Sequence, residues 1–202
     1  MQTEILSGPR ARTTVLSAAG MLPGLLALAL LPAAPSRAEE AREYDVKAVF
    51  IFNFLKFVDW PPSAFKDQDA AVVVGILGDD PFGAAFDRAL ADRKAHDRRI
   101  VVKRYATFED FQSDAAGADT PACHLLFIGG SPERVSKVLQ TLKKSATLTV
   151  GDSEEFAERG GIVGFYLSEG KVRFAVNPDA AKRAGLQISS QLLKLSKIVR
   201  DK

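Results

Sequence analysis

The middle of the chain alternates short β-branched and apolar runs with stretches of helical periodicity, and this alternation limits the folds available to it. The pattern predicts strands at residues 71–77, 100–105, 124–128 and 148–150, and helices at residues 81–93, 108–116, 132–145 and 154–159. Strands that alternate with helices usually run parallel, with the helices covering the faces of the sheet. Residues 162–167 and 171–176 flank Ser168-Glu169-Gly170 and predict an antiparallel hairpin. We therefore expect an α/β fold with a single Rossmann-like open sheet, mostly parallel with an antiparallel C-terminal hairpin, and helices on both faces.

The segment before these strands is predicted to form a strongly apolar helix. Residues 39–60 show helical periodicity, and the prolines at 61–62 cannot continue it. Within residues 50–58 the apolar side chains cover nearly the whole circumference, and they include Phe50, Phe54 and Phe57. A helix that is apolar all round is either buried on several sides or part of an interface with another chain. Both interpretations stay open at the level of the sequence.

The last part of the chain is predicted to contain two further helices. Asn177 is a favourable N-cap, Pro178 suits the first helical position, and Gly185 ends that helix. A second helix is predicted from one apolar stripe after this glycine. The members of the stripe are Ile188, Leu192, Leu195 and Val199.

Residues 1–38 have the pattern of a secretory signal peptide. Arg10 and Arg12 give a positive start, an uncharged core rich in leucine and alanine follows, and small residues precede the cut. A membrane-embedded signal anchor is the competing interpretation, but prolines and a glycine interrupt the apolar run. We expect cleavage after Ala38, export to the periplasm, and a single domain over residues 39–202.

Charge and cysteine content limit the classes of function. Without residues 1–38, the 27 basic and 25 acidic residues fall to 24 of each, so the exported part is formally neutral. A domain that grips nucleic acid needs a clear basic excess, so no nucleic-acid partner is expected. Cys123 is the only cysteine, which excludes an internal disulfide and leaves stability to packing. We interpret Cys123 as a small core residue, with a redox role or a bridge between two chains as alternatives.

Three glycine-containing turns follow predicted strands and precede predicted helices. They are residues 75–83, 129–132 and 151–155. The first matches neither the dinucleotide nor the P-loop spacing, and Asp79 and Asp80 would repel a phosphate. Asp80 is expected to cap the helix that follows, and Asp152 with Glu155 is expected to form a capping box. All three turns should lie at the carboxyl edge of the sheet, where open α/β folds bind ligands, so a small-molecule site is permitted there.

No catalytic or metal-binding set is apparent in the sequence. Cys123 and His124 are neighbours, and neighbouring strand residues point to opposite faces, so they cannot act together as nucleophile and base. His96 is the only other histidine and falls in a polar loop, so a zinc site is not expected. Ser131 is followed by Pro132, which lacks the backbone N–H that normally contributes to an oxyanion hole. We expect no enzymatic activity, no cofactor and no metal.

Several short motifs occur in a recognisable order along nearly the whole exported part. They are residues 47–61, 75–83, 123–128, 148–152, 160–162, 172–177, 180–181 and 185–193, together with Phe156. In this order the motifs resemble the YfiR/HmsC family of exported regulators. The resemblance implies a periplasmic, non-enzymatic repressor that binds the periplasmic sensor region of a membrane-bound diguanylate cyclase. Release of the repression raises cyclic di-GMP and favours biofilm formation.

The resemblance also implies that the chain can form a homodimer, and that some relatives respond to redox conditions through disulfides. The lone Cys123 has no partner within the chain, so an intramolecular redox switch is not available here. The surfaces expected to meet a partner are the aromatic helix and the first glycine turn. The predicted interface residues are Phe50, Phe54, Phe57, Trp60, Asp79, Asp80 and Phe82. In the alternative interpretation these residues pack the core or cap a helix.

The competing function is a periplasmic small-molecule-binding sensor that uses the crevice at the carboxyl edge of the sheet.

Overall fold

The computed structural model describes residues 37–201, in which each strand and helix predicted for the middle of the chain is present. The helices are α1 (Arg37–Phe57), α2 (Gly83–Leu90), α3 (Phe108–Ala115), α4 (Pro132–Leu142), α5 (Glu154–Glu158), α6 (Pro178–Arg183) and α7 (Ser190–Lys194), with one 3-10 turn at Pro62–Ala64. The strands are β1 (Val58–Asp59), β2 (Val72–Leu77), β3 (Lys94–Ala95), β4 (Arg98–Tyr105), β5 (Leu125–Ile128), β6 (Leu148–Gly151), β7 (Val163–Ser168), β8 (Lys171–Val176), β9 (Gln187–Ile188) and β10 (Lys197–Ile198). The predicted signal peptide lies outside the described residues, apart from its last two positions.

Eight of the strands form one mixed sheet, in the order β10-β8-β7-β6-β5-β2-β4-β3. The four strands β4, β2, β5 and β6 run parallel to one another, as the βα alternation predicts. β7 and β8 form the predicted antiparallel hairpin, with Ser168 opposite Lys171. A second antiparallel pair, β3 with β4, closes the far side of the sheet. The α/β class is confirmed, whereas the prediction of a mostly parallel sheet is wrong, and the Rossmann-like arrangement stays a prediction.

The second hairpin replaces the polar loop predicted around His96. His96 and Asp97 form a two-residue turn between β3 and β4, and both have left-handed backbone angles, with φ of 51° and 61°. Such turns usually carry Asn-Gly or Asp-Gly, so this sequence lacks the common hairpin signal. The His96 ring is also engaged, because its Nε2 lies 3.0 Å from the carbonyl oxygen of Val58.

Apolar side chains pack on both faces of the sheet. One cluster joins α1 and α2 to the sheet, and the other joins α3 and α4 to it. Alternate residues of one strand contribute to the two clusters: in β5, Leu125 and Phe127 face the first, and Leu126 and Ile128 face the second. The sheet is therefore covered by helices on both faces, which explains why its central strands read as continuous apolar runs.

The two halves of α1 have different surroundings. In the C-terminal half, Ile51, Phe54 and Leu55 are fully buried against the sheet. Val46 in the N-terminal half and Val49 near the middle of the helix are exposed. The apolar circumference predicted for this helix therefore splits into a core segment and a surface segment. No helix within residues 37–201 has the length and apolar character needed to cross a membrane.

In the last part of the chain, the first predicted helix is present and the second is not. Asn177 caps α6, since its Oδ1 accepts from the backbone N–H of Ala180 at 2.9 Å. Beyond Gly185, the predicted amphipathic helix is wrong: β9 pairs with β1, α7 is one short helix, and β10 runs parallel to β8. Leu195, a member of the predicted stripe, is 72% exposed, whereas Val199 is buried. Strand pairing at the sheet edge outweighs the helical spacing of four apolar residues.

Candidate functional site: the carboxyl edge of the sheet and the adjoining groove

The three glycine turns lie together at one edge of the sheet, as predicted. They follow β2, β5 and β6, which are neighbours and run parallel, so their carboxyl ends meet at the same edge. The first two turns are in contact: the backbone N–H of Gly129 donates to the carbonyl of Leu77 at 2.9 Å. Gly78 and Gly130 have φ of 86° and 112°, which favours glycine at both positions.

The first turn is fixed by an acidic pair around one arginine. Asp80 Oδ1 accepts from the backbone N–H groups of Phe82 and Gly83, at 2.8 and 3.1 Å. Asp80 therefore stabilises the turn before α2, and the helix begins later than predicted. Arg104 donates through Nε to Asp80 at 2.7 Å and through both Nη atoms to Asp87. The hydrogen bonds between Arg104 and Asp87 lower the pKa of Asp87, and those from Arg104 to both carboxylates raise the pKa of Arg104, so Asp87 and Arg104 stay charged.

Two neighbouring residues of the third turn divide its roles: one caps α5, and the other anchors α1. Ser153 caps α5, since its Oγ accepts from the backbone N–H of Phe156 at 3.2 Å. The predicted capping box of Asp152 and Glu155 is therefore wrong. Asp152 instead accepts from the hydroxyl of Tyr44 at 2.6 Å and forms an ion pair with Lys47.

Lys47 is the most deeply buried charged side chain of this edge, with only 2% of its surface exposed. Its ammonium group forms ion pairs with Asp152 and with Glu43, one helical turn earlier. The Tyr44 ring packs edge-on against Phe82 of the first turn, with centroids 5.5 Å apart. Burial and the hydrogen bond to Asp152 raise the pKa of Tyr44, so its hydroxyl stays a donor. α1 thus bridges the first and third turns across the edge where a ligand crevice was predicted.

A groove of about 230 Å³ lies between the exposed half of α1 and α2. Its lining includes Tyr44, Val49 and Phe52 from α1, and Phe82, Phe86 and Arg93 from the turn and helix opposite. The Arg93 guanidinium lies over the Phe52 ring, 4.6 Å from its centroid. Most of the lining is apolar, its charged residues are Asp45 and Arg93, and the side chain of Val49 is exposed. Such a surface is suited to contact with another protein.

The predicted interface residues divide between core and surface. Phe54 is fully buried, and Trp60 and Phe82 are each 8% exposed. Trp60 also donates from Nε1 to the carbonyl of His124 at 3.0 Å, which fixes its ring inside the fold. These three residues are core residues in this conformation. Phe50 and Phe57 are half-buried, Asp79 is exposed, and Asp80 is engaged by Arg104.

Cys123 and His124 lie in separate surroundings, in agreement with the prediction that they do not act together. Cys123 is fully buried in the cluster beneath α3 and α4, and burial raises the pKa of its thiol. His124 accepts from the backbone N–H of Val73 at Nδ1, 3.0 Å away, so its proton resides on Nε2 and is donated to the Ala64 carbonyl at 3.2 Å. Its ring stacks on Phe65, with centroids 4.4 Å apart. Both side chains have structural roles in this arrangement.

We expect His124 to make the protein less stable in mild acid. Burial lowers the pKa of His124 to about 4, whereas the unfolded chain takes up this proton near the ordinary value of 6.5. Acid therefore favours the unfolded chain, and the stabilisation present above that ordinary value is lost as the pH falls toward the folded pKa. The loss between about pH 7 and about pH 5 is roughly 2 kcal/mol. Urea unfolding at several pH values measures it.

The variant His124→Gln serves as the reference for this slope, because it lacks the titrating ring. The two proteins share every other ionisable group, so the contributions of those groups to the pH dependence cancel in the difference. If the free energy of unfolding changes equally with pH in the parent and in the variant, His124 takes up its proton as readily in the folded state as in the unfolded chain.

The sequence of the chain matches one known protein family over most of its length. The YfiR/HmsC-like family model matches residues 44–197, which span α1 from Tyr44 through β10. The chain belongs to the YfiR/HmsC-like family. This family consists of regulators rather than enzymes. No curated protein matches the chain. Within residues 37–201, no group of three histidine, cysteine or acidic side chains is placed to hold a metal ion.

Proposed function

We propose that the chain is a periplasmic, non-enzymatic repressor of a membrane-bound diguanylate cyclase, which lowers cyclic di-GMP and restrains biofilm formation. Membership of the YfiR/HmsC-like family over residues 44–197 carries this proposal. The predicted signal peptide supports the compartment, since it would bring the domain to the same side of the membrane as the sensor region of the cyclase. A homodimer is compatible with this function and stays a prediction.

The groove between α1 and α2 is the docking surface that we assign to the cyclase. Its floor includes the aromatic side chains of Phe52 and Phe82, and Val49 on its rim is 55% exposed. An exposed apolar rim beside a concave apolar floor gives a partner helix a surface to bury. Repression then requires only that the domain bind the inactive cyclase better than the active one. A difference of about 1–3 kcal/mol changes the output several-fold.

The competing function, a small-molecule sensor at the carboxyl edge, receives less support. α1 crosses that edge and is tied to the first turn through Tyr44 and to the third turn through Lys47 and Asp152. A ligand that entered there would have to displace the ion pair between the buried Lys47 and Asp152.

The proposal predicts a several-fold rise in cyclic di-GMP when the gene is deleted, because the cyclase loses its repressor. Complementation with the full chain restores the low level, whereas a chain without residues 1–38 does not. Extraction and quantification of the nucleotide from each strain measure this. A level that does not respond to deletion under several growth conditions would contradict the repressor function.

The deletion strain also tests the groove, when it is complemented with a chain that carries one substitution in the groove or with a matched control. Val49→Glu places a charge on the rim of the groove and is expected to leave cyclic di-GMP high, as in the deletion. Leu195→Glu makes the same change at a more exposed apolar residue, 72% accessible, far along the chain in the tail. It is expected to complement fully. If both variants complement and both are exported at parental levels, the groove is not the docking surface, although the repressor function still stands.

A further inference from the structure

A second hollow opens at the opposite end of β2 from the glycine turn. It has a volume of about 420 Å³ and lies over the amino-terminal part of β2 and the middle of β4. Its floor is apolar and includes Val73 and Val101. Its cationic side chains are Lys66, Arg99 and Lys103. Arg99, Val101 and Lys103 alternate along β4, so all three point to the same face of the sheet.

The charges around this hollow do not cancel. Lys103 is neutralised by Asp114, whose carboxylate accepts from its Nζ at 2.8 Å and from the Tyr105 hydroxyl at 2.7 Å. These bonds lower the pKa of Asp114, so it stays ionised. Lys66 and Arg99 are exposed, and within residues 37–201 their side chains have no hydrogen-bond or ion-pair partner. The rim therefore carries two uncompensated positive charges beside an apolar floor.

The wall of the hollow is held in place by contacts of its own. Arg98 points away from it and donates from Nη1 to the carbonyls of Asp67, Gln68 and Ala70, at 2.8–2.9 Å. The same guanidinium lies 4.0 Å from the centroid of the Phe65 ring, which in turn stacks on His124. One arginine thus fixes the whole loop that bears Lys66. Because this loop is already ordered, a ligand that binds in the hollow does not have to fix it, and that part of the entropy cost of binding is avoided.

We propose that this hollow binds an organic anion with an apolar body, of the chemical class of a medium-chain carboxylate. The carboxylate would lie between Lys66 and Arg99, because a guanidinium and an ammonium bind carboxylates through charge-assisted hydrogen bonds. The apolar body would cover Val73 and Val101. The volume lies within the range of small-molecule sites, roughly 300–1,000 Å³. His124, with both ring nitrogens already bonded, supplies an apolar wall and no contact to the anion.

This site does not depend on the proposed repressor function. Val73 packs with the cluster beneath α3 and α4, whereas α1 and the groove lie with the cluster on the other face of the sheet. Binding at the hollow is measured on the purified exported chain, without a cyclase. If no ligand binds in the hollow, the proposed regulation of cyclic di-GMP is unaffected. If deletion of the gene leaves cyclic di-GMP unchanged, the proposed binding in the hollow is unaffected.

The test uses octanoate as the probe, titrated into residues 39–202 and followed by calorimetry. Octanoate is expected to bind, with chemical-shift changes at the methyl groups of Val73 and Val101. The double variant Lys66→Gln with Arg99→Gln is expected to bind about tenfold more weakly, since it loses both ion pairs. Octanol, which keeps the chain and lacks the charge, and acetate, which keeps the charge and lacks the chain, are both expected to bind more weakly than octanoate.

The matched control is the double variant Arg88→Gln with Lys171→Gln, which removes the same two charges from exposed positions on α2 and β8. It is expected to bind octanoate like the parent. Thermal unfolding of both double variants verifies that each is folded. The proposal is overturned if octanoate does not bind the folded parent, if both double variants lose affinity equally, or if acetate binds as well as octanoate.

Discussion

Replacing Asp152 with alanine is expected to lower the free energy of unfolding by about 3 kcal/mol. Asp152 is the acceptor for both Tyr44 and Lys47, and Lys47 is 2% exposed. Without this carboxylate, a buried ammonium group keeps only Glu43 as its partner, and removal of one member of a buried ion pair costs far more than the pair contributes. Urea denaturation of the two proteins, followed by circular dichroism, measures the difference.

Two further variants separate the buried charge from other effects of the substitution. Asp79→Ala removes an exposed carboxylate from the first turn and is expected to change stability by no more than about 0.5 kcal/mol. Adding Lys47→Met to Asp152→Ala removes the stranded ammonium group and is expected to recover much of the loss. If Asp152→Ala alone is as stable as the parent, the ion pair with Glu43 is sufficient for the buried ammonium group of Lys47.

The anchoring pair also links stability to the proposed docking surface. Tyr44 and Lys47 lie one turn apart on α1, and Tyr44 lines the groove toward α2. The exposed half of α1 is therefore positioned by Asp152, while the buried half is positioned by the sheet. A change at Asp152 should weaken docking at the groove without removing any residue that faces the cyclase.

Much of the sheet was predictable because periodicity is a local property. β2, β5 and β6 have apolar runs bounded by glycine turns, and the helices between them repeat apolar residues at helical spacing. The strands that the sequence did not predict have two residues each, such as β3 and β10, and they are too short to show any period. Their pairing depends on partners distant in sequence. The antiparallel β3–β4 edge and the β10 edge could therefore not be read from the chain, whereas the β7–β8 hairpin could.

The position of the candidate site could be predicted from the sequence, but the role of Asp152 in it was predicted wrongly. The glycine turns meet at one edge because parallel strands require it. Asp152 was assigned to the helix that follows it, and Ser153 beside it has the same capping chemistry. The actual partners, Tyr44 and Lys47, precede Asp152 by 108 and 105 residues. Lys47 directly precedes the apolar run of α1 and lies four residues after Glu43, and this placement was the available signal for a buried ion pair.

Gly164→Ala is expected to destabilise the protein by about 3 kcal/mol through overpacking. A Cβ atom at this position would lie 2.2 Å from the carbonyl oxygen of Ser153 and 3.3 Å from the backbone nitrogen of Ala157. Both obstacles are backbone atoms around α5, so no side-chain rotation relieves the contact. α5 must move away from β7, and Phe156, which packs in the core, must move with it. Thermal and urea unfolding measure the loss.

Gly117→Ala is the control that separates steric overlap from backbone conformation. Gly117 has φ of 73° and open space around its Cα, so alanine there incurs only the left-handed penalty of about 1 kcal/mol. Gly164 has no such φ, and its whole effect comes from the approach of α5. Equal losses for the two variants would mean that α5 shifts freely over β7. A much larger loss at Gly164 would show that the third turn, with Asp152 at its start, is held rigidly against the sheet.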